Sequence, residues 1–186
     1  MSVIYVIHTI LMLVLGVCRF VTETYVIHDY LWVPALDGTE TIHQVQGTTT
    51  ISNNEMYGGS GYIGTFDNTG NWELTMQCKW SSSSCGIWCL IKSDETSRDK
   101  NDLLLIPNTI YRHVNGSVTY DSGFGMSTGS YYTVKIVKNN DSISVTANNV
   151  TKTFTWSLAT SLSTLSVGVD AWGGTSSIKD IVVKPL

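Results

Sequence analysis

The sequence predicts an all-β domain running from about residue 25 to residue 186, two antiparallel sheets packed face to face. Three observations predict it. After residue 24 no stretch of any length carries a helical period, alternation of apolar and polar residues at period two keeps returning, and Gly, Asn and Ser punctuate the alternating runs. Many short strands joined by such turns specify a sandwich or a barrel, because each strand has an apolar face that only a second layer can bury. A chain of 186 residues suits one domain and buries roughly two-thirds of the surface its unfolded form exposes.

The chain opens with an apolar stretch, Val3 to Val17, interrupted by Tyr5, His8 and Thr9. Two readings of residues 1–24 stay open: an export signal or membrane anchor outside the sandwich, or a buried docking element. No Lys or Arg precedes the stretch, and Arg19 is the first. Membrane contact through residues 3–17 belongs to the first reading. Tyr25 to Val33 then forms a short initial strand.

The clearest strand is Trp72 to Trp80. Trp72, Leu74, Met76, Cys78 and Trp80 alternate with Glu73, Thr75, Gln77 and Lys79, which sets one whole series against a core. Ser81 to Ser84 make a turn and Cys85 to Lys92 returns as the partner. Pairing Trp80 with Cys85 sets Cys78 opposite Ile87, Met76 opposite Cys89 and Leu74 opposite Ile91, so inward residues meet inward residues. The same register brings Glu73 to Lys92. It leaves Trp88 and Leu90 on the outward face, beside Gln77 and Thr75.

Tyr111 to Val114 and Ser117 to Tyr120 flank Asn115-Gly116, the strongest short signal for a type I′ hairpin. Tyr111, His113, Val118 and Tyr120 then share a face. Tyr131 to Lys138 points Tyr132, Val134 and Ile136 inward, and Asn139-Asn140-Asp141 turns it into Ser142 to Ala147. Asn148-Asn149 leads on to Val150 to Trp156. Two last strands, Leu165 to Asp170 and Ile178 to Lys184, enclose the loop Ala171 to Ser177.

Charged residues make up 14% of the chain, against roughly 25% in average soluble domains. Hydroxyls and amides carry the polarity instead. A formal net charge of −4 with no Lys/Arg cluster opposes a phosphate-binding footprint, so nucleic acid is not an expected partner. Cys78, Cys85 and Cys89 read as small core residues, since in the proposed register Cys78 lies diagonal to both others, beyond disulfide reach. His8, His28, His43 and His113 are scattered and read as ordinary hydrogen-bonded residues.

The end of the chain carries a resemblance. A strand Leu165-Ser166-Val167-Gly168-Val169-Asp170, a Trp/Gly loop, and a closing Ile178-Lys179-Asp180-Ile181-Val182-Val183 resemble the C-terminus of concanavalin A-like, laminin-G-like jelly rolls. Asn71-Trp72-Glu73-Leu74 is similar to the aromatic-led strand of the same folds. The resemblance implies a jelly roll of two curved sheets, binding carbohydrate or protein ligands on its concave face or at loop tips. Laminin-G-like relatives often bind calcium, which the resemblance would place near the last loop with Asp170 and Asp180 in reach, but the dense acidic ligand set calcium prefers is missing, so no cofactor is expected. The β-glucanases of this fold share a Glu-x-Asp-x-x-Glu strand, and no segment here matches it. Glu73 is followed at the second position by Thr75, and Asp94-Glu95 are adjacent and would point opposite ways in a strand.

The sequence therefore predicts a non-catalytic, lectin-like recognition domain, extracellular or surface-exposed, that takes a glycan or a surface protein as partner. Its candidate ligand-binding residues are Trp88 with Gln77 and Lys79 on the outward sheet face, and Trp172 with Asp170 in the final loop. For Trp88 a second reading stays open, a second core layer with Leu90. The alternative function is a structural or attachment component of a virion, fibre or surface layer, with the sandwich as a protein interface.

Overall fold

The computed structural model describes residues 30–186, together with the backbone of residues 9–14 and 17–22. In that backbone Thr9–Val14 (β1) and Val17–Thr22 (β2) pair antiparallel, Thr9 opposite Thr22. The expected role of residues 1–24 as signal, anchor or docking element lies outside the described residues. Among those described, no helix is long and apolar enough to cross a membrane. Of the expected first strand only the end is described, where Trp32 bridges to Val183.

From Ile42 onward the chain is a two-layer antiparallel sandwich. Its strands are β3 (Ile42–Ser52), β4 (Glu55–Asp67), β5 (Trp72–Trp80), β6 (Gly86–Lys92), β7 (Asp102–Ile106), β8 (Thr109–Val114), β9 (Ser117–Ser122), β10 (Tyr132–Asn139), β11 (Ser142–Ala147) and β12 (Val150–Thr155). One helical turn, α1 (Leu158–Ser161), precedes β13 (Thr164–Asp170) and β14 (Ser176–Pro185). The first layer runs β12-β11-β10-β5-β14, and the second runs β13-β6-β7-β8-β9.

The long hairpin β3–β4 joins the layers. Met56 to Gly58 pair with β14 in the first layer, and Gly61 to Asp67 pair with β13 in the second. The turn from one layer to the other falls at Gly58-Gly59-Ser60-Gly61, where the register of β3 shifts twice. A Cβ on Gly59 would stand 2.6 Å from the Thr48 nitrogen, and Gly58 has φ +106°. Only glycine lets the two backbones approach so closely while the strand bends.

The core between the layers matches the alternation read from β5: Trp72, Leu74, Met76, Cys78 and Trp80 are all buried. The indole of Trp72 donates to Asn68 Oδ1 at 3.1 Å, and that of Trp80 crosses the core to the Leu105 carbonyl at 3.1 Å. Val134 and Ile136 of β10 point into the same core, with Tyr132 packed against its edge. The Asn-Gly hairpin forms as read, with Tyr111 opposite Tyr120 and His113 opposite Val118. Asn115 and Gly116 both have positive φ, +50° and +80°, the signature of a type I′ turn.

The expected β5–β6 hairpin is not formed. β5 pairs with β10 and β14, whereas β6 pairs with β13 and β7 in the opposite layer. Ser81 to Cys85 therefore carries the chain across the sandwich rather than around a hairpin. The inward residues of the two segments do meet, but across the core. Glu73 accordingly pairs with Lys135 at 2.5 Å and Lys184 at 3.1 Å, while Lys92 pairs with Asp94 at 2.8 Å. Cys78, Cys85 and Cys89 are buried free thiols, and burial pushes the Cys78 and Cys89 thiols well above the ordinary range.

A register shift in β6 also redistributes its faces. Trp88 lies opposite Leu104 and Ile91 opposite Asp102, so four residues of β6 run against three of β7. This bulge sends Ile87, Cys89 and Leu90 into the main core, and Trp88 and Ile91 to the other side of the layer. The expected pairing of Trp88 with Leu90 on one face is corrected by it.

Candidate functional site on the outer face of the second layer

The registers of seven strands align one row of residues across the face of the second layer turned away from the core. His43 lies opposite Tyr62, Tyr62 opposite Gly168, Gly168 opposite Trp88, Trp88 opposite Leu104, Leu104 opposite Tyr111 and Tyr111 opposite Tyr120. His43 stacks on Tyr62 with ring centroids 5.0 Å apart, and Tyr111 meets Tyr120 at 5.8 Å. The middle of the row, Tyr62, Trp88 and Leu104, is buried, whereas Tyr120 is 64% exposed.

Polar rows flank the aromatic one. On one side Gln46, Ser60 and Asp170 follow one another across β3, β4 and β13. On the other, Asp102 lies opposite His113, and the His113 Nδ1 meets Asp102 Oδ1 at 2.7 Å with both side chains buried. Burial works against the charge on His113, but the Asp102 hydrogen bond and charge outweigh it and hold its pKa above the ordinary value. Asp102 is raised as well, by its own burial, which exceeds what His113 returns.

Between β6 and β7 the segment Ser93 to Asn101 folds over this face as a strap. Its neck is closed by the Lys92 N–H donating to the Asn101 carbonyl at 3.0 Å. The Tyr62 hydroxyl donates to the carbonyls of Ser93 (3.0 Å) and Glu95 (3.1 Å). Further along the strap, Arg98 reaches the opposite polar row: it donates to Asp170 Oδ2 at 2.7 Å and to Gln46 Oε1 at 3.3 Å. The strap therefore crosses the aromatic row from one flank to the other.

At the strap's far side stands the loop from Ala171 to Thr175. It is tied to Ser81 and Ser82, with the Thr175 N–H donating to Ser81 Oγ at 2.8 Å and Ser82 Oγ donating to the Gly173 carbonyl at 2.7 Å. Trp172 projects from this anchored loop, 66% exposed, and the Arg98 guanidinium carbon lies 5.8 Å from its ring centre. Asp170, only 1% exposed, accepts from Ser60 Oγ at 2.7 Å and from Arg98. A flat apolar ring thus sits beside a cation whose position a buried carboxylate holds.

Two of the residues predicted from sequence, Asp170 and Trp172, are brought together, and Arg98 joins them. The other three are not. Trp88 is fully buried in a satellite core with Tyr62, Ile91 and Leu104, so its ring is no exposed platform. Gln77 and Lys79 belong to the first layer, where Gln77 donates to Thr133 Oγ1 at 2.8 Å and Lys79 pairs with Glu55 at 3.6 Å. The calcium arrangement implied by the resemblance is not formed either. Both Asp170 oxygens are engaged by Ser60 and Arg98, Asp180 lies on β14 in the other layer, and no group of three acidic, His or Cys side chains among the described residues is placed to hold a metal.

Sequence reasoning missed Arg98, which lies 72 positions from Asp170 in a polar loop with no motif around it. It also passed over His43 and Tyr62 on the unrecognised β3–β4 hairpin. The only signal was the run Gly58-Gly59-Ser60-Gly61 between alternating segments. A separate cleft of about 450 Å³ opens at the other end of the sandwich, between the Asn68 to Asn71 turn and α1. Its floor is the buried Lys138, whose Nζ donates to the Asn68 and Gly70 carbonyls at 2.6 Å each.

Layer order, core and bent hairpin define the class: an antiparallel β-sandwich. No protein-family model matches the sequence, and no curated protein matches it. Solved structures share the fold. One, described with endo-acting O-glycanases by which human gut microbiota initiate mucin breakdown, superposes with TM-score 0.61 at 8% identity, over 85% of this chain and 100% of that one. The carbohydrate binding module CBM66 of Bacillus subtilis gives 0.58 at 13%, over 77% and 94%. Sheep galectin-11, in complex with glycerol, gives 0.50 at 12%, over 68% and 98%.

Proposed function

We propose that the domain is a non-catalytic, extracellular carbohydrate-binding module of the concanavalin A-like type, and that its ligand contacts the loop end of the second layer at Trp172 and Arg98. The observation that carries this reading is the exposed Trp172 ring beside a guanidinium held by Asp170 and Gln46. A sugar ring offers an apolar C–H face and a rim of hydroxyls. The indole takes the face and the fixed Arg donors take the rim, which divides the work as small-ligand sites generally do. Because Arg98 is already positioned, little rotamer entropy is lost when it engages a hydroxyl.

The structural likeness to a carbohydrate binding module and to a galectin supports the same reading at the level of fold. In it the His113–Asp102 pair stabilises the sheet rather than transferring protons to a substrate.

The test is a printed glycan array probed with the wild-type chain and with Trp172→Ala, alongside thermal unfolding of both. The substitution should weaken the strongest array signal by on the order of 1 to 3 kcal/mol and leave unfolding within about 0.5 kcal/mol of wild type, since the ring is exposed. Binding that survives Trp172→Ala unchanged rejects this site.

A further inference from the structure

We infer that the cleft between the Asn68 to Asn71 turn and α1 is a second ligand site, which takes the carboxylate of an acidic sugar on the Lys138 ammonium. The inference rests on the glycan reading for the sugar class and on the cleft itself for the charge.

The chain builds this end of the sandwich from three turns. Asn68 to Asn71 joins β4 to β5, Asn139 to Asp141 joins β10 to β11, and α1 leads into β13. Buried Asn68 bolts the first to the third: its N–H donates to the Ser163 carbonyl at 2.9 Å, and its Nδ2 donates to the carbonyls of Ala159 (2.9 Å) and Leu162 (2.7 Å). Asn71 Oδ1 accepts from the Asn140 N–H at 2.8 Å and ties in the second. The cleft of about 450 Å³ between them is therefore formed before a ligand arrives. Its size falls within the roughly 300 to 1,000 Å³ of small-molecule sites.

On its floor lies a buried cation without an anion. Lys138 follows Val134 and Ile136 on the inward side of β10, opposite Trp72, and is 3% exposed. The carbonyls of Asn68 and Gly70 take two of its three ammonium protons. Among the described residues no carboxylate stands within ion-pair reach of it. Asp67 attracts it from farther off, but both Asp67 oxygens are engaged by Thr69, at 2.8 Å each. Buried charges are ordinarily paired, because an isolated one forfeits its hydration without return. Burial accordingly outweighs the pull of Asp67 and holds the Lys138 pKa below the ordinary value, so an anion entering the cleft stabilises the charged form.

The third proton and the rim together decide the ligand class. Around the opening stand the hydroxyls of Thr160, Ser161 and Ser163 and the amide of Asn140, with Leu162 as an apolar wall. One cation in the neighbourhood of Asp67 suits a single negative charge and opposes a doubly charged phosphate. A carboxylate meets that condition: one oxygen accepts from Lys138 and the other from a rim hydroxyl. The hydroxyls of a sugar ring then bond the rest of the rim, where groups that both donate and accept match them. A uronic acid carries both halves.

The experiment titrates the full chain with sodium glucuronate, and separately with glucose, acetate and inorganic phosphate at constant ionic strength, following backbone amide shifts by NMR. Glucuronate should move the amides of residues 68–71, 140 and 160–163 saturably. It should bind about tenfold tighter than glucose, which lacks the charge, and than acetate, which lacks the ring, a factor that one charge-assisted hydrogen bond supplies. Lys138→Met keeps an apolar stem and removes the charge, and should abolish these shifts, whereas Trp172→Ala should leave them unchanged. Should Lys138→Met fail to fold, Ser161→Glu replaces it: a carboxylate on the exposed lip, with Lys138 intact, should weaken glucuronate about tenfold by like-charge repulsion.

Shifts that are absent, or that survive the variant used, mean that the cleft holds water and overturn the site. Acetate or phosphate binding as tightly as glucuronate overturns the acidic-sugar assignment. If Trp172-dependent array binding holds while glucuronate leaves the cleft unmoved, the inference falls alone; if glucuronate fills the cleft but no arrayed glycan depends on Trp172, the loop site falls and the cleft stands.

Discussion

Replacing Asp170 with Asn is the sharpest probe of the site, because it changes one oxygen in a buried carboxylate that anchors both the strap and the Trp172 corner. Asp170 is 1% exposed and the Arg98 side chain 20% exposed. In Asp170→Asn the acceptor for Ser60 Oγ can be kept at Oδ1. The Oδ2 that receives the 2.7 Å bond from Arg98 becomes an amide donor facing a guanidinium donor. Breaking a fully buried pair costs about 3 to 5 kcal/mol. Arg98 retains some contact with water and with Gln46, which lowers the figure to about 2 to 3 kcal/mol. For a domain of this size that corresponds to a fall in Tm of roughly 4 to 12 °C. Differential scanning calorimetry measures it, and a double-mutant cycle with Arg98→Ala isolates the pair. The same variant should lose glycan affinity, since the guanidinium beside Trp172 is no longer held. A Tm within 1 °C of wild type, or full additivity in the cycle, would refute the claim that Asp170 organises this corner.

Two further outcomes follow from burial and charge. Trp88→Ala should destabilise the domain by about 3 to 5 kcal/mol, in contrast to the near-neutral Trp172→Ala; chemical denaturation that shows Trp88→Ala at wild-type stability would mean that the satellite core is not closed. The His113–Asp102 pair predicts a pH dependence of defined sign. His113 has a folded pKa above its unfolded value, so the native state holds its proton more tightly. The associated stability is complete below about pH 6.5 and is lost as pH rises through the higher folded value. Asp102, also raised, acts with the same sign at lower pH. Urea midpoints measured from pH 6 to 9 should therefore fall, and His113→Asn should flatten the slope; a wild-type midpoint that is level or rises over this range contradicts the assignment.

What the sequence determined by itself was local. Alternation along Trp72 to Trp80 decided which side of β5 is buried, because successive side chains leave a strand on opposite faces whatever its partners are. Asn115-Gly116 decided the β8–β9 register, because a two-residue turn with positive φ leaves the flanking strands one way to pair. The all-β class followed from the same periods, and Trp172 could be singled out as an aromatic in a glycine loop.

Tertiary structure decided the rest. Periodicity names a buried face but not the strand beside it, so a five-residue link that crosses the sandwich looked like a hairpin turn. The bulge in β6 moved Ile91 out of the core and put it beside Trp88, a change of face that strict alternation does not carry. The β3–β4 hairpin drew no reading from the sequence, because its bend is built on glycines that serve close backbone approach and interrupt the alternation. Arg98 reached Asp170 only because the strap folds across the sheet, and a contact made by a loop closing over a surface leaves no period and no motif in the chain that makes it.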